Sequence, residues 1–173
     1  MAAPLTPPAF ELRGKRPPPD RAPRLRLWSV RHAALMERAY NGFEAMLIAA
    51  TPLIKWIGFE RLERPFAAVE RIVKGALFDC RMCGDCALSS TGMSCPMNCP
   101  KALRNGPCGG VRADGGCEVY PKMPCVWVKA FEGSLLMRDG AGLARRLPPL
   151  DHRLKGGSAW LRVVRMHAGL ELR

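Results

Sequence analysis

Between residues 31 and 78 apolar positions recur at helical spacing. Ala34, Met36, Tyr40, Phe43, Met46, Leu47 and Ala50 fall mostly three and four residues apart, which places them on one face of an α-helix. Pro52 is expected to end or kink that helix, because its ring clashes with the preceding turn and it has no N–H to donate. A second short helix is predicted over residues 53–59. Phe66, Val69, Ile72, Val73 and Leu77 then form another stripe, with Glu70, Arg71 and Lys74 mainly on the opposite face and Gly75 a weak point near its end. Residues 128–137 are again helix-like. A turn-rich piece follows (Asp139, Gly140, Gly142, Pro148, Pro149), then an amphipathic run over residues 159–170. Such stripes read as core or subunit interface.

The periodicity fails over residues 79–127, where Gly, Pro, Asn and Asp are frequent and nothing repeats at 2 or 3.6. So long a structureless segment inside a small domain requires a hold other than an apolar core. Eight cysteines supply it: Cys80, Cys83, Cys86, Cys95, Cys99, Cys108, Cys117 and Cys125 all lie in this stretch, and the rest of the chain has none. The N-terminus lacks the apolar core of a secretory signal, which points to a reducing, cytoplasmic setting and to metal ligation in place of disulfides.

The spacing C-x2-C-x2-C-x8-C-x3-C-x8-C-x8-C-x7-C separates the candidate metals. The triplet Cys80, Cys83, Cys86 suits an iron–sulfur cubane, since each two-residue gap lets the backbone curl round an inorganic core and aim N–H groups at its sulfurs. A zinc ribbon would show a second, separate C-x2-C knuckle, and there is none. Eight thiolates match two 4Fe-4S clusters, with zinc the alternative at one or both sites. Cys95-Pro96 and Cys99-Pro100 resemble the Cys-Pro step of bacterial ferredoxins, although the gap after the triplet is eight residues and not three. The triplet is expected to share one centre with a single distant cysteine, leaving four for the second. Gly106, Gly109, Gly110, Gly115 and Gly116 read as close-approach or positive-φ positions near a centre and not as a phosphate loop. Trp127 would form a dry lid over sulfur.

Composition narrows the picture further. A chain of 173 residues with 48% hydrophobic and 24% charged residues makes one ordinary domain. The expected fold is mainly α, a small single domain with a large irregular cysteine-rich segment stapled by metal clusters and an extended N-terminal arm. Its organisation is a Pro-rich basic arm over 1–27, expected to be disordered; a helical segment over 28–79, expected to be a subunit interface; a cluster-binding segment over 80–127; and C-terminal helices and turns over 128–173. The net charge of +12 admits an anionic partner. The basic residues concentrate outside the cysteine segment and aromatics make up only 7%, so a nucleic-acid stacking platform is hard to build. No apolar run reaches the roughly 20 residues of a membrane span. His32, His152 and His167 are scattered, and no catalytic set stands out, so a stand-alone enzyme is disfavoured.

The run CGDCALSSTGMSCPMNCPKALRNGPCGG, followed by GGCEVYP and CVWVKAFE, resembles the methylenetetrahydrofolate reductase C-terminal-type family. With a weaker match at LPPLDHRLKGGSAWL, the resemblance covers about residues 66–165. It implies a small iron–sulfur subunit, itself non-catalytic, that docks on the flavin-bearing methylenetetrahydrofolate reductase and relays electrons to or from its FMN. The electron donor is left open. The eight cysteines carry over individually as the implied ligands. The alternative is a zinc-stapled, non-redox module that binds a protein or nucleic acid.

Overall fold

The computed structural model describes residues 23–106 and 108–170. The arm assigned to residues 1–27 therefore lies outside the described residues up to position 22, and its last residues belong to a helix: α1 runs Arg24–Arg31. The remaining helices are α2 (Ala33–Ala49), α3 (Thr51–Ile57), α4 (Phe59–Phe78), α5 (Val126–Ser134) and α6 (Ala159–His167). Among the described residues there is no strand, only two isolated antiparallel bridges, Val111 with Cys117 and Gly116 with Pro124. The fold is mainly helical, as expected.

Pro52 acts as the pattern predicts. It lies in the first turn of α3, where a missing N–H leaves no helical bond unmade, and α2 stops just before it. Gly58 follows with φ +98°, a conformation that redirects the chain into α4. Pro65 and Gly75 both lie inside α4 without ending it.

One face of α4 departs from the amphipathic reading. Glu70 and Lys74, expected to be solvated, are each 2% exposed, whereas Val69, Ile72 and Val73 are 54%, 72% and 41% exposed. The helix turns its charged pair inward because that pair has partners there. Lys74 Nζ donates to Glu70 Oε1 at 2.7 Å, while Glu70 Oε2 accepts from Ser158 Oγ at 2.7 Å and from the Trp160 backbone N–H at 3.3 Å. The pair thus fastens α4 to the first turn of α6, where Ser158 also caps the helix by accepting from Leu161 N–H.

Around it packs a core of Leu47, Ile54, Trp160, Leu161 and Val164, each apolar side chain contributing about 1.5–3 kcal/mol by leaving water. A second cluster joins Ala33, Phe78, Leu88, Met93 and Met137 to Cys95, and a third joins Met123, Val126, Trp127 and Ala130 to Cys99, Cys117 and Cys125. Glu37 of α2, buried, accepts from Arg138 N–H at 2.9 Å and Asp139 N–H at 3.2 Å, fixing the turn after α5. Cys95 therefore packs with residues of α2 and α4, and Cys99, Cys117 and Cys125 pack with residues of α5.

Candidate metal centres

The first centre forms where α4 ends. Asp79 adopts a left-handed conformation (φ 51°), and Cys80 N–H returns to the Lys74 carbonyl at 3.2 Å, which turns the chain sharply into the cysteine triplet. Cys80, Cys83, Cys86 and Cys95 line one small pocket together with Lys74 and Phe78. The distant cysteine that lines this pocket with the triplet is Cys95, brought in by a 3-10 turn at Leu88–Ser90 and the turn after it. All four thiols are free.

This pocket is tied down from outside. Met82 C=O accepts from Gly156 N–H at 2.8 Å, and a Cβ on Gly84 (φ +76°) would collide with the Leu154 carbonyl. Asp85, between Cys83 and Cys86, receives Arg104 Nη2 and, at 2.7 Å, Arg162 Nη1 of α6. Asn98 Nδ2 donates to Phe78 C=O at 2.9 Å and its Oδ1 accepts from Arg81 Nε at 3.1 Å, so the loop carrying Cys95 rests on the end of α4.

The electrostatics are those of buried thiols held in their neutral form. Burial pushes the Cys80 thiol up to about 11, and neighbouring Cys86 adds to the rise. Burial also raises Cys83 and Cys95, and Cys80, Cys83 and Cys86 raise Cys95 further by like-charge repulsion. Tyr40 is raised by burial first and then by Cys86 beside its hydroxyl. Burial works against the Lys74 charge, but Cys86, Tyr40 and Glu70 together hold it above the ordinary lysine value. Metal ligation requires the thiolate form, so a cation bound among Cys80, Cys83 and Cys95 would have to displace their protons.

The second centre lies on the other side of the turn Pro96–Asn98. Cys99, Cys117 and Cys125 share one buried cluster, and Cys108 and Cys117 are the thiols whose charge bears on Cys99. Short backbone bonds fold the intervening loops: Cys117 N–H to Met123 C=O and Cys125 N–H to Gly115 C=O, both 2.9 Å. Gly115 has φ +77°, and Gly106 presses against the Trp127 ring, so two of the glycines serve as expected. Gly109, by contrast, has open space round it and no positive φ. Trp127, 7% exposed, packs among the three buried thiols' neighbours. The three histidines stay outside both centres; His32 only joins α1 to α2, with Nδ1 2.9 Å from Trp28 C=O.

Among the described residues no group of three or more His, Cys, Asp or Glu side chains could hold a metal ion as the thiols stand. The residues nevertheless fit an iron–sulfur group on two observations. Backbone N–H groups face sulfur: Met82 N–H donates to Cys80 Sγ at 3.4 Å, and the amides of Met97 near Cys95 and of Lys101 and Leu103 near Cys99 favour the thiolate form there. The Arg26 guanidinium, buried with Nη1 and Nη2 unpartnered, has Cys95 as one of the two groups that favour its charge. Strain is concentrated here too, since Met82, Met93 and Ala102 take left-handed conformations that non-glycine residues hold only when surroundings impose them. Arg26, Tyr40 and Lys74 escape a sequence reading, because nothing about a basic or aromatic residue outside the motif signals where it will pack, and Asn98, inside the motif, gives no sign that its partner is the end of α4. The Glu70/Lys74 spacing of four was the one available hint.

A helical scaffold that gathers Cys80, Cys83, Cys86 and Cys95 at one pocket and Cys99, Cys117 and Cys125 in one buried cluster defines a cysteine-rich protein with two candidate metal centres. Residues 59–153, more than half of the chain, match the methylene-tetrahydrofolate reductase C-terminal family, and the chain belongs to that family. No curated protein and no solved structure matches it. The matched stretch takes in α4, both centres, α5 and the turns that follow.

Proposed function

We propose that this protein is the iron–sulfur electron-transfer subunit of a flavin-bearing methylenetetrahydrofolate reductase and relays electrons to or from the partner's FMN. The observation that supports the reading is that Cys80, Cys83, Cys86 and Cys95 line one pocket while Cys99, Cys117 and Cys125 share a separate buried cluster, to which Cys108 is assigned through its influence on Cys99. Two 4Fe-4S clusters would supply one-electron transfer at these positions. The chain's own part is to hold the thiolates, shield them from water and keep the two centres close. Cys95 and Cys99 are four residues apart, so their Cα atoms are separated by no more than about 14 Å even at full extension. Family membership supports association with a reductase. No helix among the described residues is long and apolar enough to cross a membrane.

An apolar groove of about 550 Å³ between α2 and α4 supports docking beside the first centre. Phe43, Met46, Phe66, Val69 and Val73 line it, and it reaches Tyr40 and Lys74, the neighbours of Cys86. Val69→Asp and Val73→Asp are expected to weaken copurification with the reductase at least tenfold while shifting stability by only about 0.5 kcal/mol, as is usual for exposed positions. Undiminished pull-down of both variants would move the interface elsewhere. Phe66 and Leu77 are poorer probes, because both pack against the core and a carboxylate there would unfold it.

The deciding experiment is analysis of iron, zinc and acid-labile sulfide in protein purified without oxygen, with spectra before and after dithionite. About eight irons with equal sulfide and a bleachable visible band are expected. Zinc without sulfide would overturn the redox reading and leave a structural, partner-binding module.

A further inference from the structure

Two basic side chains are buried to the core: Arg26 at 1% exposure and Lys74 at 2%. Their situations differ. Lys74 has Glu70 at 2.7 Å. Among the described residues Arg26 has no hydrogen-bond partner for either terminal nitrogen. Asp79, the carboxylate that most favours its charge, accepts from Arg81 Nη2 on Oδ2 at 3.1 Å. Burial works against the Arg26 charge; Asp79 and Cys95 favour it, and Arg81 opposes it.

An arginine stays protonated at every physiological pH, so burial cannot neutralise it. Burying that charge is costly unless it is compensated, and among the described residues Asp79 favours it most without restoring it to its ordinary strength. The location identifies a further source. Arg26 lies one turn before Ser29, whose hydroxyl donates to the Leu77 carbonyl at 2.8 Å and so docks α1 on the end of α4. The loop carrying Cys95 rests on the same end through Asn98 and Phe78. Four deprotonated cysteines around a metal centre leave a net negative charge at that junction.

We propose that Arg26 is the built-in counter-cation of the Cys80, Cys83, Cys86 and Cys95 centre, a positioning residue that stabilises its negative charge and raises its reduction potential relative to an apolar side chain. The inference rests on the reading of that centre as a metal site. Reduction by a titrant adds one electron and one unit of negative charge to the centre without making or breaking a bond. A fixed cation in a low-dielectric surrounding favours the reduced form. The second centre, built round Cys99, has no such residue: the only cation buried besides Arg26, among the described residues, is Lys74.

The test uses the full chain, purified without oxygen, as wild type, Arg26→Met and Arg26→Lys. Iron and sulfide are counted and the clusters are titrated against redox dyes. In Arg26→Met one of the two reduction waves should move to lower potential by at least tenfold in its equilibrium constant, about 59 mV for one electron, while the other stays in place. Arg26→Lys, which keeps the charge, should retain most of the wild-type position. Arg26→Met that loses half its iron while Arg26→Lys loads fully also supports the proposal. Unmoved waves in fully loaded Arg26→Met overturn it, as does equal loss of iron in both variants, which would make the side chain's shape the requirement. Wild-type protein holding zinc without sulfide would defeat the electron-transfer reading alone. Competition with a chelator then reads the Arg26 proposal: at least tenfold easier zinc loss from Arg26→Met than from Arg26→Lys upholds it, and equal loss overturns it.

Discussion

Cys95→Ser and Cys99→Ser are expected to remove different clusters, although only Pro96–Asn98 separates the two positions. Cys95 faces the pocket of the N-terminal triplet, whereas Cys99 packs with Cys117 and Cys125. Each single variant should therefore fall from about eight irons to about four per chain, and the double variant should lose nearly all. Iron counts alone would look the same in the two singles, so the decisive readout is which reduction wave survives. Cys99→Ser should keep the wave that Arg26→Met displaces, and Cys95→Ser should abolish it. A serine variant that retains full iron would remove that residue from the ligand set. Loss of the same wave in both variants would show that the turn does not divide the two centres.

That turn also explains why the partition was beyond a sequence reading. Gaps of eight residues recur on both sides of the C-x3-C step, so spacing offers no preference between Cys95 and any later cysteine as the triplet's partner. The choice is made by tertiary contacts: Asn98 bonding to the Phe78 carbonyl, and Ser94 Oγ donating to Val126 C=O at 3.0 Å. Both are short polar residues in a loop, and neither announces a distant partner.

The helices were more legible, because their signals are local. The stripe ending at Ala50 and the breaker at Pro52 match α2 and α3 closely. The inward face of α4 was not, since Val69, Ile72 and Val73 look more buriable than Glu70 and Lys74 by residue type. What reversed them was a ready-made set of donors at Ser158 and Trp160, which lies ninety residues away in sequence and is invisible to a periodicity argument. Arg26 shows the same limit: among the arginines near the N-terminus it is indistinguishable by sequence, yet it is sealed in the protein.

Glu70→Ala should be the most destabilising single change outside the cysteines. The carboxylate receives three groups, Lys74 Nζ, Ser158 Oγ and Trp160 N–H, and its loss strands all of them in the interior. Lys74 Nζ would keep only the faces of Tyr40 and Trp160, 5.6 and 5.1 Å from their ring centres, each contact worth about 0.5–2 kcal/mol. Removing one member of a buried pair typically costs about 3–5 kcal/mol, which in a domain of this size lowers the melting temperature by about 6–20 °C. The double variant Glu70→Leu with Lys74→Met should lose much less than the sum of the single changes, because no charge is then left buried. A loss below about 1 kcal/mol in Glu70→Ala would mean that Lys74 finds another partner. Cys86 is the group placed to provide one, since its charge is the strongest of those that favour Lys74. The loaded protein, with Cys86 held as a thiolate, should accordingly tolerate Glu70→Ala better than the same protein stripped of metal by a chelator. Equal losses in the two forms would show that Lys74 serves the α4–α6 contact alone.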